Sequence, residues 1–297
     1  MSAARGDDPD REPAERGAPD IWEEIVACRR RGEAAAVATI ISTQGSTPGK
    51  DPMKMLVRAD GTFVGSVGGG CLEAEVWEHA RQVMRSLRPM TVSFSLTQED
   101  YPDSGLICGG QLTVFIEPVT QPIVHVFGAG HVGAETARLA HGAGFRVRLY
   151  DDREDMLAGA ALPGPVERVA GDFEHTASQA LAGDLGFVIV VTRGHNDDER
   201  VLRCLLRGGR APRFLGMIGS RAKRAQITGR LLAEGLQRPL LDAIVSPVGL
   251  PIGARTAPEI ALSIVAQLVS ECRGGGMGGE ADRVARRAAK RAAAGPP

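Results

Sequence analysis

Cysteine is scarce and scattered in this chain: Cys28, Cys71, Cys108, Cys204 and Cys272 are the only five among 297 residues, and no two form a CxxC pair. An odd, widely spread set excludes a disulfide scaffold, and no close Cys/His grouping has the spacing of a zinc site. The usage fits a reducing cytoplasm. A surplus of charge is also lacking. The formal net charge is −1, which gives no reason to expect nucleic acid or an anionic membrane surface as a partner. No apolar run is long enough for a transmembrane helix. The opening MSAARGDDPDREPAERGAP has no apolar stretch of the kind a secretory signal needs. Internal repeats are absent.

What is abundant is glycine, 38 residues in all, within an otherwise globular balance of 43% hydrophobic and 24% charged residues. The excess points to many backbone turns or ligand loops. The length allows two domains, and the pattern along the chain divides accordingly. Residues 1–19 are polar and rich in Pro, Gly and charge, the composition of a disordered tail. Residues 20–118 read as a small α+β domain: a helix (IWEEIVACRR), a strand (AAAVATIIS), a turn-rich TQGSTPGKDP, and two short strands joined at 59–61. A helix from Leu72 to Leu87 follows, with Val76, Ala80, Val83, Met84 and Leu87 on one face. TVSFSL and QLTVFIE are two further strands, flanking YPDSGLICGG. Residues 122–272 alternate apolar strands (IVHVFGAG, FRVRLYDD, FVIVVT, FLGMIG, and DAIVSPVG as a further candidate) with helical stretches. The last helix, EIALSIVAQLV, is apolar nearly all round and expected to be buried. Residues 273–297 form a glycine linker and a basic, alanine-rich tail expected to be disordered. The fold class expected is therefore α/β, an N-terminal small α+β domain followed by a Rossmann-like, doubly wound parallel-sheet domain.

The second domain carries a dinucleotide fingerprint. Gly128, Gly130 and Gly133 follow a strand and open a helix, and the next strand ends about twenty residues on in Tyr150-Asp151-Asp152-Arg153. The first glycine permits the tight turn, the second lets the backbone approach a diphosphate, and the third lets helix and strand pack closely. The helix N-terminus offers N–H donors to phosphate. Asp151 or Asp152 is placed to accept from a ribose hydroxyl. His131 reads as a surface histidine. Asn196 or Asp197 is placed to cap the helix after FVIVVT, and Ser220 the helix after FLGMIG. Arg221, Lys223 and Arg224 offer charge to an anion. Gly249 and Gly253 shape a glycine–proline loop, and Thr256 to Glu259 form a capping box.

The first domain poses a different question at SVGGGCLEAEV, where Gly68, Gly69 and Gly70 run into Cys71 at a helix start. A thiol there is either a small residue tolerated at a turn or a reactive, ligand-handling sulfur. The helix start would set that sulfur at the positive end of the helix dipole. Cys108 sits in a comparable loop, ICGG. Cys28 and Cys204 lie in helix patterns and read as packing residues. Glu73 either complements the helix dipole or helps move a proton.

Together QGSTPG, GSVGGGCLE, CGGQLTVFIEP, VFGAGHVG, VTRGHNDD, GMIGSRAKR and SPVGLPIGARTAPEIA resemble the XdhC/CoxI proteins, accessory factors of xanthine dehydrogenase and related molybdenum hydroxylases. The resemblance runs from about Ile21 to Glu271. It departs from the family pattern at Gly49-Lys50-Asp51-Pro52-Met53. It implies a maturation chaperone rather than an enzyme. Its cargo would be the molybdenum cofactor, a molybdopterin with a phosphate or dinucleotide tail, and its partners a cysteine desulfurase and an apo-molybdoenzyme of the xanthine dehydrogenase family. Whether the chain forms a homodimer is left open. Cys71, a soft sulfur ligand, is then the candidate molybdenum contact, with Cys108 beside it. The cofactor is expected to lie between the cysteine-bearing domain and the crevice of the Rossmann-like domain. The fingerprint alone recommends an alternative, an NAD(P)-dependent oxidoreductase. Against that stands the absence of a tyrosine–lysine or histidine–carboxylate constellation, with Tyr101 and Tyr150 the only tyrosines.

Overall fold

The computed structural model describes residues 20–96, 110–181, 186–209 and 211–273. It divides into two units, Met1–Thr120 and Gln121–Pro297. In the first, α1 (Ile21–Arg31) begins where the Asp20 carboxylate accepts the Trp22 N–H at 2.8 Å. Strands β1 (Ala35–Gln44), β2 (Lys54–Arg58) and β3 (Phe63–Gly65) precede α2 (Gly70–Ser86), and β4 (Met90–Ser95) and β5 (Gln111–Pro118) follow it. The strands form one antiparallel sheet in the order β3-β2-β1-β5-β4.

Strand β1 lies at the centre and alternates its small side chains between two helices. Ala35 and Val37 pack with Cys28 of α1, whereas Ala36, Ala38 and Ile40 pack with Leu72, Val76, Ala80 and Val83 of α2. Helix α2 starts two residues earlier than its apolar pattern suggests, so Leu72 joins the core. Met84 is only half-buried and Leu87 leaves the helix as its left-handed cap, φ 53°. A register shift between Ile40 and Ser42 marks a bulge near the end of β1.

The second unit runs β6 (Ile123–Phe127), α3 (His131–Gly142), β7 (Arg146–Asp151), α4 (Glu154–Gly159), β8 (Glu167–Ala170), α5 (Phe173–Leu181) and β9 (Phe187–Val190). It continues with α6 (His195–Arg207), β10 (Phe214–Met217), α7 (Arg221–Ala233), α8 (Arg238–Asp242), β11 (Ile244–Val245) and α9 (Ala257–Arg273). All six strands are parallel, in the order β11-β10-β9-β6-β7-β8. Numbered within the unit this is 6-5-4-1-2-3, the doubly wound order with its switch point between β6 and β9. Every residue of β6, β9 and β10 is buried, as expected of strands covered on both faces.

Three features differ from expectation. Strand β8 was not legible, because it is a mostly exposed edge strand with no apolar pattern. Helix α6 starts at His195 behind Gly194, so neither Asn196 nor Asp197 caps it; Asp197 pairs instead with Arg193 and Arg200. Helix α9 is one-sided: Ala261, Ile264, Val265 and Leu268 are buried, but Leu262 is 53% and Val269 37% exposed. It packs along α3 and turns those two side chains away. Among the described residues no helix is long and apolar enough to cross a membrane.

Candidate functional site

The first unit draws together three segments distant in sequence. Gly68 adopts φ +128°, and a Cβ there would stand 2.7 Å from the Gly49 nitrogen. A Cβ on Gly110 would stand 2.3 Å from the Ser46 carbonyl oxygen. The QGSTPG loop is thereby packed backbone to backbone against both the glycine–cysteine loop and the start of β5. Cys108 lies outside the described residues, two positions before Gly110.

Within this cluster the glycine–cysteine loop is braced by a short relay. The Gly68 N–H donates to Ser66 Oγ at 3.1 Å, and Ser66 Oγ donates to Glu73 Oε1 at 2.6 Å. Glu73 therefore ties the first turn of α2 back onto the loop that feeds it. Beyond the brace, a Cβ on Gly69 or Gly70 would meet nothing within 4 Å, and Cys71 is exposed in the first turn of the helix. Open space, a helix start without a side-chain cap and an accessible thiol thus share one spot. The other described cysteines differ. Cys28 and Cys272 are buried, burial pushing the Cys272 thiol up, while Cys204 contacts Ser178 Oγ and the Glu174 carbonyl.

In the second unit, Gly128 turns the chain at φ +115°. A Cβ on Gly133 would lie 1.7 Å from the Gly128 carbonyl oxygen, whereas one on Gly130 would meet nothing within 4 Å. The loop is closed tightly on its inner side and open on its outer side. The two candidate ribose acceptors have separate roles. Asp151 is fully buried and accepts from the Ala129 N–H at 2.7 Å, the Arg153 N–H at 3.0 Å and the Arg153 guanidinium at 2.9 and 3.1 Å. Burial works to raise its pKa, but these bonds to the charged form hold it below the usual carboxylate range. Asp152 remains partly exposed, gripped by the two terminal guanidinium nitrogens of Arg193 at 2.9 and 2.7 Å.

Sequence reasoning did not single out Asp198. Thr192 Oγ1 donates to its carboxylate at 2.6 Å and the Lys223 ammonium pairs with it, yet the residue is fully buried. Burial pushes its pKa up against the pull of Lys223 and Thr192. The available signal was helical spacing, since Asp198 falls in register with Val201, Leu202 and Leu205 on the buried face of α6. Lys223, expected to offer charge to an anion, is drawn onto Asp198 and the Ile218 carbonyl. Ser220 caps α7 as expected, accepting from the Lys223 N–H at 3.2 Å. Arg221 is exposed at the start of that helix, and Arg224 donates to the Asp242 carbonyl. His131 is exposed. Gly249 donates its N–H to Gln267 Oε1 at 2.7 Å, and Glu259 reaches back to the Arg255 and Thr256 N–H groups, the return half of a capping box. Among the described residues no group of three His, Cys, Asp or Glu side chains could hold a metal ion.

Residues 28–95 match the family described as the XdhC and CoxI family, and residues 124–268 match the XdhC Rossmann domain. An uncharacterized Escherichia coli protein, YqeB, is 30% identical over 237 residues, 78% of this chain and 42% of its own. The E. coli molybdenum cofactor insertion chaperone PaoD is 31% identical over 99 residues, 32% of this chain and 30% of its own. A Bacillus subtilis protein described as a probable xanthine dehydrogenase subunit is 30% identical over 91 residues, 30% of this chain and 28% of its own. The chain spans less than half the length of these relatives.

Proposed function

Because the chain belongs to the XdhC and CoxI family, we propose that it is a chaperone that binds the molybdenum cofactor and inserts it into a xanthine dehydrogenase-type enzyme. The names of two relatives, an insertion chaperone and a probable xanthine dehydrogenase subunit, support the cargo and the client class. The observation that carries the reading is the loop cluster of the first unit. Three glycine-containing segments pack there around an open spot, with Cys71 exposed at the start of α2.

The residues present suit such a cargo. A thiol is a soft donor appropriate to a molybdenum–sulfur centre, and a helix start that no side chain caps suits an anion. In this reading Cys71 meets the metal end of the cofactor. The Gly128–Gly133 loop, open beyond Gly130, is by itself read as a phosphate site. A cysteine desulfurase then supplies the terminal sulfur while the chain holds the cofactor.

The test is retention and transfer. Protein purified from cells making the cofactor is expected to release a pterin that fluoresces after oxidation, and to restore activity to an apo-enzyme. Cys71→Ala is expected to lower the molybdenum held and the activity restored, and unchanged transfer would remove Cys71 from the mechanism. The doubly wound strand order favours a second reading, an NAD(P)-dependent oxidoreductase. Saturable NAD(P)H binding with turnover, in protein that retains no pterin, would favour it.

A further inference from the structure

The strand order gives the Asp152–Arg193 pair a particular position. Asp152 follows β7, Arg193 follows β9, and β6 lies between those strands in the sheet. The bridge therefore runs from one neighbour of β6 to the other, across the Gly128–Gly130 loop that leaves it. Both side chains are partly exposed, at 25% and 46%, whereas Asp151 beneath is only 1% exposed. Arg193 is also held from the helix that follows it, its Nε lying 3.1 Å from Asp197 Oδ2 in α6.

A nucleotide in a doubly wound domain lies along this edge, from the end of the second strand past the glycine loop of the first towards the fourth. Here that path is crossed by a guanidinium. Asp151 offers a guest little, because its two oxygens already accept four hydrogen bonds. Asp152 is the carboxylate left for a sugar diol, and Arg193 occupies it. A guest bearing phosphate can draw Arg193 off Asp152 by replacing one bidentate anion with another, while a neutral guest has nothing to exchange. An exposed ion pair is weak enough to be opened in this way.

We propose that Arg193 is a specificity-determining latch of the crevice. Paired with Asp152 it closes the glycine loop, and it opens for guests that present phosphate. This rests on the reading of that loop as a phosphate site.

The test is calorimetric titration of the full chain with ADP and with adenosine at low salt. ADP is expected to bind at least about tenfold more tightly than adenosine. Arg193→Ala is expected to weaken ADP about tenfold or more, from loss of a charge-assisted contact, without weakening adenosine. Arg193→Lys retains the charge without the fork and falls between. Asp152→Asn loosens the latch and is expected to tighten pyrophosphate, which has no sugar diol for Asp152 to hold, by up to about fivefold. ADP binding unchanged by Arg193→Ala, or pyrophosphate binding weakened by Asp152→Asn, overturns the latch and leaves the phosphate site standing. No ADP binding to wild type or Asp152→Asn overturns the phosphate site itself, and the latch with it.

Discussion

Two glycine loops open two helices in this molecule, and they are braced differently. In the first unit the Gly68–Gly70 loop is held by a hydroxyl, Ser66 standing between the Gly68 N–H and the Glu73 carboxylate. In the second, a buried carboxylate does the work directly, with Asp151 accepting the Ala129 N–H and locked by Arg153. The first brace is part-buried and leaves Cys71 exposed. The second is sealed in the protein and leaves its outer arginine pair as the accessible chemistry. Glycine supplies the same thing in both places, close approach without a side chain. The bracing group decides how rigid the loop is and which functional group faces outward.

The largest effect should come from the inner side of the second loop. Gly133→Ala places a methyl group 1.7 Å from the Gly128 carbonyl oxygen, and backbone cannot yield cheaply. We expect a loss of about 3 kcal/mol or more in urea denaturation. Gly70→Ala, which meets nothing within 4 Å, should change stability by less than about 1 kcal/mol while filling the open spot beside Cys71. Equal losses for the two would erase the contrast between a packed and an open glycine.

Asp151→Asn should come next, costing about 2 kcal/mol at neutral pH through weakened bonds to the charged form. The folded pKa is lowered, so this stabilisation is present above the unfolded value and is lost as pH falls through the folded one. The gap between wild type and variant should therefore close on acidification, followed by denaturant melts from pH 7 downward. A gap independent of pH would assign the loss to shape rather than charge.

Smallest should be the brace of the first loop. Ser66→Ala should cost about 1 kcal/mol, and Glu73→Gln less, since an amide oxygen can still accept from Ser66. Thermal melts of the pair, with Glu73→Ala beside them, would show whether accepting capacity or charge matters at that position.

The second domain was the more legible because its strands are covered on both faces and read as short apolar runs. The edge strand β8 has one weakly covered face and a polar sequence, so it left no such mark. The glycine fingerprint and Cys71 were visible as motifs. Asp198 was not, although its helical register with Val201 and Leu202 was available.

The sequence alone determined the two-domain plan, the positions of the glycine turns and the placement of Cys71 at a helix start. These depend on local periodicity and on backbone conformations that few residues but glycine adopt. Only the tertiary structure decided which charge meets which. It put Asp151 under the loop and Asp152 against Arg193, turned Lys223 inward to Asp198, and packed Gly110 onto Ser46. Adjacent carboxylates look alike in a sequence, and their difference arises from burial and from partners that the folded sheet brings from far along the chain.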